Sequence, residues 1–121
     1  MKREKNMPDI RPRLRIRAGK DIAFGPGKAD LLEAVQASGS ITEAAASLGM
    51  SYMRAWTLIR TMNRSFGRPL VAALRGGTRG GGGAHLTETG RNVLVLYRQM
   101  DSKCIEALQP EWRKLRKLLK T

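Results

Sequence analysis

Residues 40–66 read SITEAAASLGMSYMRAWTLIRTMNRSF. Ser40-Ile41-Thr42-Glu43 has the form of a capping box. The Ser40 hydroxyl can accept from the Glu43 N–H, and the Glu43 side chain can reach back to the Ser40 N–H. The helix it starts is short and ends at Leu48. Its Ala44, Ala45 and Ala46 are small enough for another helix to pack close. Gly49 suits the left-handed position at a helix C-terminus. Ser51 then caps a second helix, expected from Tyr52 to Phe66. At 100° per residue, Ala55, Ile59, Met62 and Phe66 fall on one stripe. Met53, Thr57, Arg60 and Arg64 fall roughly opposite, with Arg54 and Thr61 beside them. Two helices hinged at a glycine, the second with arginines opposite its core stripe, outline a helix-turn-helix, a device that places a helix in the DNA major groove.

The flanking chain is consistent with that outline. Residues 1–12 are polar, basic and broken by Pro8 and Pro12, which predicts a flexible arm. The domain proper is expected over residues 13–86. Leu14-Arg15-Ile16-Arg17 alternates with a period of two, a short strand. Gly25-Pro26-Gly27 breaks the chain, and Pro26 suits a first helical turn. The spacing of Leu31, Leu32 and Val35 predicts a helix over Lys28 to Ala37.

Beyond Pro69, Leu70 to Leu74 is short, apolar and strand-like. Residues 75–84 follow as a loop holding Arg75, Gly76, Gly77, Thr78, Arg79, Gly80, Gly81, Gly82 and Gly83, before His85-Leu86 resumes an extended segment. Strand, glycine-rich loop and strand make a hairpin, and behind a helix-turn-helix a hairpin is a wing. Its glycines let backbone approach phosphates and its arginines supply charge. A phosphate-cradling P-loop is excluded, since no Gly-Lys-Ser/Thr closes the run and a strand follows it.

Residues 87–121 are expected to be dimerisation helices. Thr87 caps a long helix from Glu88 to about Leu108. Its stripe of Val93, Leu96, Tyr97, Met100, Cys104 and Leu108 is longer than the small core needs, and its distal part is assigned to a dimer interface. Pro110 opens a last basic, amphipathic helix, whose Trp112 joins that interface. The fold class is therefore mainly α with a small β-hairpin: a winged helix-turn-helix with a long C-terminal dimerisation helix.

Composition supports a nucleic-acid partner. The chain has 121 residues, a 41% hydrophobic fraction and a net charge of +13. An excess of that sign calls for a polyanion, nucleic acid first and an anionic membrane surface second, and with the helix-turn-helix the expected partner is double-stranded DNA. Cys104 is the single cysteine, so no internal disulfide can form, and a reducing cytoplasm is expected. The longest aliphatic run is Val93 to Leu96, far below the roughly 20 residues of a membrane span. Neither His85 nor Cys104 has an evident catalytic partner, and no metal-ligand spacing occurs, so an enzyme is not expected.

The residues Gly25-Pro26-Gly27, Gly39-Ser40-Ile41, Ala44-Ala45, Met50-Ser51-Tyr52, Ala55-Trp56, Pro69-Leu70-Val71, Gly80 to Ala84 and Leu86-Thr87-x-x-Gly90 come in order and at close spacing. Over about Gly25 to Met100 the chain closely resembles the DNA-binding domain of the molybdate-responsive (ModE-type) transcription regulators, and more distantly that of LysR-type regulators. The resemblance implies a long-helix homodimer that binds a two-fold related operator, and a regulator that acts by occupying its operator is expected to be a repressor. By position it implies Ser51, Tyr52, Met53, Arg54, Thr57 and Arg60 as recognition-helix residues, to which the helical face adds Arg64, and Arg75 to Gly83 as the wing. Full-length members carry molybdate-binding domains after the dimer helix. This chain stops at Thr121, so a stand-alone form without a cofactor of its own is expected, molybdate entering by family name only. A non-specific architectural DNA-binding protein, or a DNA-binding subunit that takes its molybdate signal from a separate sensor protein, are the alternatives.

Overall fold

The computed structural model describes residues 7–73 and 83–120. A first hairpin pairs β1 (Ile16–Ala18) antiparallel with β2 (Asp21–Phe24). Three helices follow: α1 (Pro26–Ser38), α2 (Ile41–Ser47) and α3 (Tyr52–Ser65). A second antiparallel pair, β3 (Val71–Ala73) and β4 (Ala84–Leu86), precedes the long α4 (Glu88–Ala107) and the short α5 (Gln109–Arg116).

Local chemistry sets most of these boundaries. Pro26 begins α1, where its missing N–H costs nothing. Gly39 ends that helix at a φ of 71°. Gly49 takes a φ of 67° between α2 and α3, a conformation in which a Cβ would be strained. Ser51 and Thr87 cap α3 and α4 by accepting from the N–H groups of Arg54 and Gly90. At Ser40 only half of the predicted capping box forms. Its hydroxyl accepts from the Glu43 N–H at 3.2 Å, but its own N–H donates to Ser38 Oγ rather than to Glu43. Ser38 is nearer in sequence and already turned back at the end of α1.

The first hairpin differs from the single expected strand. β1 starts two residues later than Leu14, and β2 is added to it. Gly19, at a φ of 64°, supplies the tight turn between them. Asp21-Ile22-Ala23-Phe24 carries no clean alternation, because Ala23 and Phe24 are both buried. That doubled burial hides the strand from a period-two reading.

One core unites the elements: Phe24 from β2, Leu31, Leu32 and Val35 from α1, Ala44 and Ala45 from α2, Ala55, Ile59 and Met62 from α3, and Leu94 and Tyr97 from α4. The Phe24 ring meets those of Tyr97 and Phe66 edge-on, at centroid distances of 5.0 and 6.1 Å. Tyr97 must be removed from the expected dimer interface. It is 1% exposed, and its hydroxyl donates to the Leu14 carbonyl at 2.6 Å. Burying a ring of this size in its own core is worth about 1.5–3 kcal/mol and leaves nothing to offer a partner. Tyr97 therefore ties the segment before β1 down onto α4.

The second hairpin is held by three backbone joints. Asn63, near the end of α3, accepts from the N–H groups of Leu70 and Val71 and donates to the Val71 carbonyl. The Ala84 N–H donates to the Gly39 carbonyl. The Thr87 N–H donates to the Leu70 carbonyl. Gly90 sits against that same carbonyl: a Cβ added there would lie 2.1 Å from the Leu70 oxygen. Here glycine is required by a close approach rather than by an unusual φ.

Two measurements test this frame. Gly90→Ala must push a backbone carbonyl aside, and should cost about 3 kcal/mol. The melting temperature should fall on the order of 10 °C; an unchanged value would mean α4 slides freely past Leu70. Tyr97→Phe should cost about 1–2 kcal/mol by stranding the Leu14 carbonyl. Burial, then the charge of Asp101, raises the Tyr97 pKa. The folded state thus holds the phenol proton more tightly than the unfolded chain does. This contribution is complete below the ordinary tyrosine value of about 10 and fades as pH rises beyond it. Urea melts at rising alkaline pH should show a smaller loss for Tyr97→Phe than for the parent.

Candidate nucleic-acid interface

The site is built on α3. Its inward stripe of Ala55, Ile59 and Met62 is fully buried, with Trp56 and Leu58 packed at the border. That anchoring turns Met53, Arg54, Thr57, Arg60 and Arg64 outward, and all five are exposed. Met53 is 67% exposed and Tyr52 47%, unusual for large side chains on a capped first turn. α3 contains three arginines and no acidic residue.

The hydroxyls on this face are partly committed. Ser51 accepts from the Arg54 N–H, which leaves its O–H to donate outward. Thr57 donates to the Met53 carbonyl at 2.8 Å, which leaves its oxygen lone pairs and its methyl group facing solvent. Both remain able to meet a phosphate or a base edge.

The arginines divide by their partners. Arg98 on α4 is held by Glu33, by Asp30 at 3.1 Å and by Asp101 at 3.6 Å. Burial alone would lower its pKa, but the bonds to Glu33 and Asp30 outweigh that and raise it. Arg98 is a structural cation that pins α4 to α1. By contrast, Arg54, Arg60 and Arg64 make no ion pair among the described residues. Like charges on one exposed helix face repel one another modestly and attract a polyanion. A helix with its side chains is roughly 10–12 Å across, matching the roughly 12 Å width of the major groove.

The β3–β4 hairpin stands where a wing should, its register pairing Val71 with Leu86, Ala72 with His85 and Ala73 with Ala84. Of the expected wing residues, Gly83 is half-buried just ahead of β4. Arg75, Gly76, Gly77, Thr78, Arg79, Gly80, Gly81 and Gly82 lie outside the described residues. Asn63 was not foreseen as part of this apparatus. Its signal was an amide on the half-buried border of α3, but which loop it would bond could not be read without the fold.

Along α4, Leu96 and Met100 are 58% and 45% exposed, with Val95 beside them. Val93 packs against the domain core, while Cys104, Leu108 and Trp112 are half-buried near the junction with α5. Among the described residues no group of histidine, cysteine and carboxylate side chains could hold a metal ion. No helix among them is long and apolar enough to cross a membrane.

These features define a winged helix-turn-helix DNA-binding domain. The model of the bacterial regulatory helix-turn-helix proteins of the lysR family matches residues 28–91, and the chain belongs to that family. It is a family of regulators, not of enzymes. The chain is 44% identical over 78 residues to the molybdenum transport protein ModE of Azotobacter vinelandii, which is 64% of this chain and 28% of that one. It is 34% identical over 101 residues to the DNA-binding transcriptional dual regulator ModE of Escherichia coli K12, covering 81% and 38% respectively. It thus spans about a third of the length of the curated relatives it matches. Among solved structures, the full-length regulator LysG of Corynebacterium glutamicum superposes with a TM-score of 0.55 at 22% identity, over 76% of this chain and 29% of that one. That likeness speaks for the fold.

Arg60 is the clearest test of the face, being exposed and without an ion-pair partner. Arg60→Ala should weaken binding to a cognate duplex by about 1–3 kcal/mol, roughly 10- to 100-fold. Its melting temperature should stay within about 1 °C, since surface changes of this kind are usually near neutral. Unfolding of the variant would show that Arg60 is structural.

Proposed function

We propose that this chain is the DNA-reading part of a homodimeric transcriptional repressor that occupies a two-fold related operator. The observation that carries the proposal is the outward face of α3, where three arginines with no ion-pair partner among the described residues stand among Ser51, Tyr52, Met53 and Thr57, opposite a fully buried stripe. In this reading Arg54, Arg60 and Arg64 engage phosphates and guanine edges, Met53 and Thr57 meet base edges and thymine methyls, and residues 75–83 reach the neighbouring backbone as the wing.

Dimerisation is supported by the exposed Leu96 and Met100 on α4 and by Leu115 on α5. Cys104, Leu108 and Trp112 border that surface, as Val93 does at its inner end. Two copies joined there present two reading helices, and symmetric half-sites follow from the symmetry of the protein. The work is cytoplasmic, where DNA and a reduced Cys104 are both found. Molybdenum, which the relatives' names carry, is the first effector to try.

Selection of bound duplexes from a random library decides the matter. The recovered motif should be a palindrome with half-site centres about 10 base pairs apart or a multiple of that. Leu96→Asp/Met100→Asp should sediment as a monomer, fold normally, and bind the selected duplex at least about tenfold more weakly. Recovery of an unsymmetrical motif, or full affinity in the monomer, would refute the dimeric reading. Binding no better than to scrambled duplex would point to an architectural protein.

A further inference from the structure

A groove of about 340 Å³ opens beside the first turn of α3, lined among others by Arg13, Arg15, Gly25, Lys28, Arg54 and Leu58. Three segments far apart in sequence meet here: the lead-in to β1, the start of α1 and the start of α3. Four of the lining side chains are cationic and none is acidic. Arg13, Arg15 and Arg54 make no ion pair among the described residues. Lys28 donates to the Ile22 carbonyl, and both residues line the groove. Burial lowers the Lys28 pKa, with the Asp21 carboxylate opposing, so the charge is held there at a cost.

The groove is continuous with the reading face, because Arg54 belongs to both. The β3–β4 hairpin is anchored at the other end of α3, through Asn63. A duplex lying on α3 therefore runs past this groove at one end and the hairpin at the other. Four cations at the rim of a polyanion-binding face have one natural counter-charge, the polyanion's own backbone.

We propose that this groove seats the DNA sugar-phosphate strand bordering the site read by α3, with Arg13 and Arg15 as phosphate-binding residues. This rests on α3 being the DNA-reading helix. The segment leading into the first hairpin then has a use beyond closing the core: it holds two arginines beside the N-terminal end of α3. Such contacts position the domain without reading sequence, so their loss should weaken all duplexes alike.

The test compares Arg13→Gln/Arg15→Gln with the parent on two probes, the duplex recovered by selection with the parent chain and a random-sequence duplex of equal length. Each phosphate contact contributes about 0.9 to the slope of log K against log salt. The double variant should lose about 1–2 from that slope. Its affinity near 0.15 M salt should fall roughly 10- to 100-fold on both probes, with their ratio preserved. Arg113→Gln/Arg116→Gln removes equal charge from α5 and should leave the slope nearly unchanged. Arg13→Lys/Arg15→Lys should keep most of it. An unchanged slope in the Gln variant, an equal loss in the α5 variant, or an equal loss in the Lys variant would each overturn the proposal, the last by showing that packing rather than charge was removed. Should selection with the parent enrich no sequence, the operator reading fails, while the slopes on the random duplex still decide the groove.

Discussion

Everything the reading helix does depends on the burial of its opposite side. Ala55, Ile59 and Met62 are sealed against α1 and α2. Turning α3 by one residue, 100°, would bring Ile59 and Met62 toward water at about 1.5–3 kcal/mol each. That is a large part of a domain's net stability of about 5–15 kcal/mol. The rotation of the helix is therefore not free, and neither are the directions of Met53, Thr57, Arg60 and Arg64. Small residues complete the constraint. Ala44, Ala45 and Ala55 bring α2 and α3 together nearly backbone to backbone, and Gly49 permits the sharp turn between them.

Charge is sorted by the same packing. The carboxylates of Asp30, Glu33 and Asp101 gather on α1 and α4, where all three pair with Arg98. On the side of α3, Arg54, Arg60 and Arg64 make no ion pair among the described residues. The segregation turns a net excess of +13 into a directed field rather than a diffuse one. It also separates two kinds of arginine that look alike in sequence. Arg98 is bonded into the frame, and Arg60 is left for a ligand.

The hairpins and the long helix share the core through Phe24, Val71, Leu86, Leu94 and Tyr97, and polar joints fix how they attach to it. Asn63 bonds β3 on both its N–H and carbonyl sides, Gly90 lets α4 approach the Leu70 carbonyl, and Tyr97 clamps the entry to β1. The Asn63 joint is local, seven to eight residues across, whereas Tyr97 reaches back to Leu14 over more than eighty. The wing and the dimer helix are thus attached to the helix-turn-helix through a few hydrogen bonds and one missing Cβ.

Much of this was legible beforehand, and for a local reason. Caps, helix periods, the left-handed glycine and the exposed face of α3 depend on residues within a few positions of one another, so Ser51, Gly49, the buried stripe and the arginines opposite it could be read from spacing alone. What spacing could not supply was partnership at a distance. Tyr97 lies on the same stripe as Leu96 and Met100, but its neighbour Phe24 comes from a strand more than seventy residues earlier, so it went to the core and they went to the surface. The β2 strand carries no period-two signal because Ala23 and Phe24 are both buried. Arg13, Arg15 and Lys28 look like scattered charge along the chain, and become one basic groove with Arg54 only when three segments fold together. A side chain's periodicity says which way it points; what it meets there is settled by the chain that returns to it.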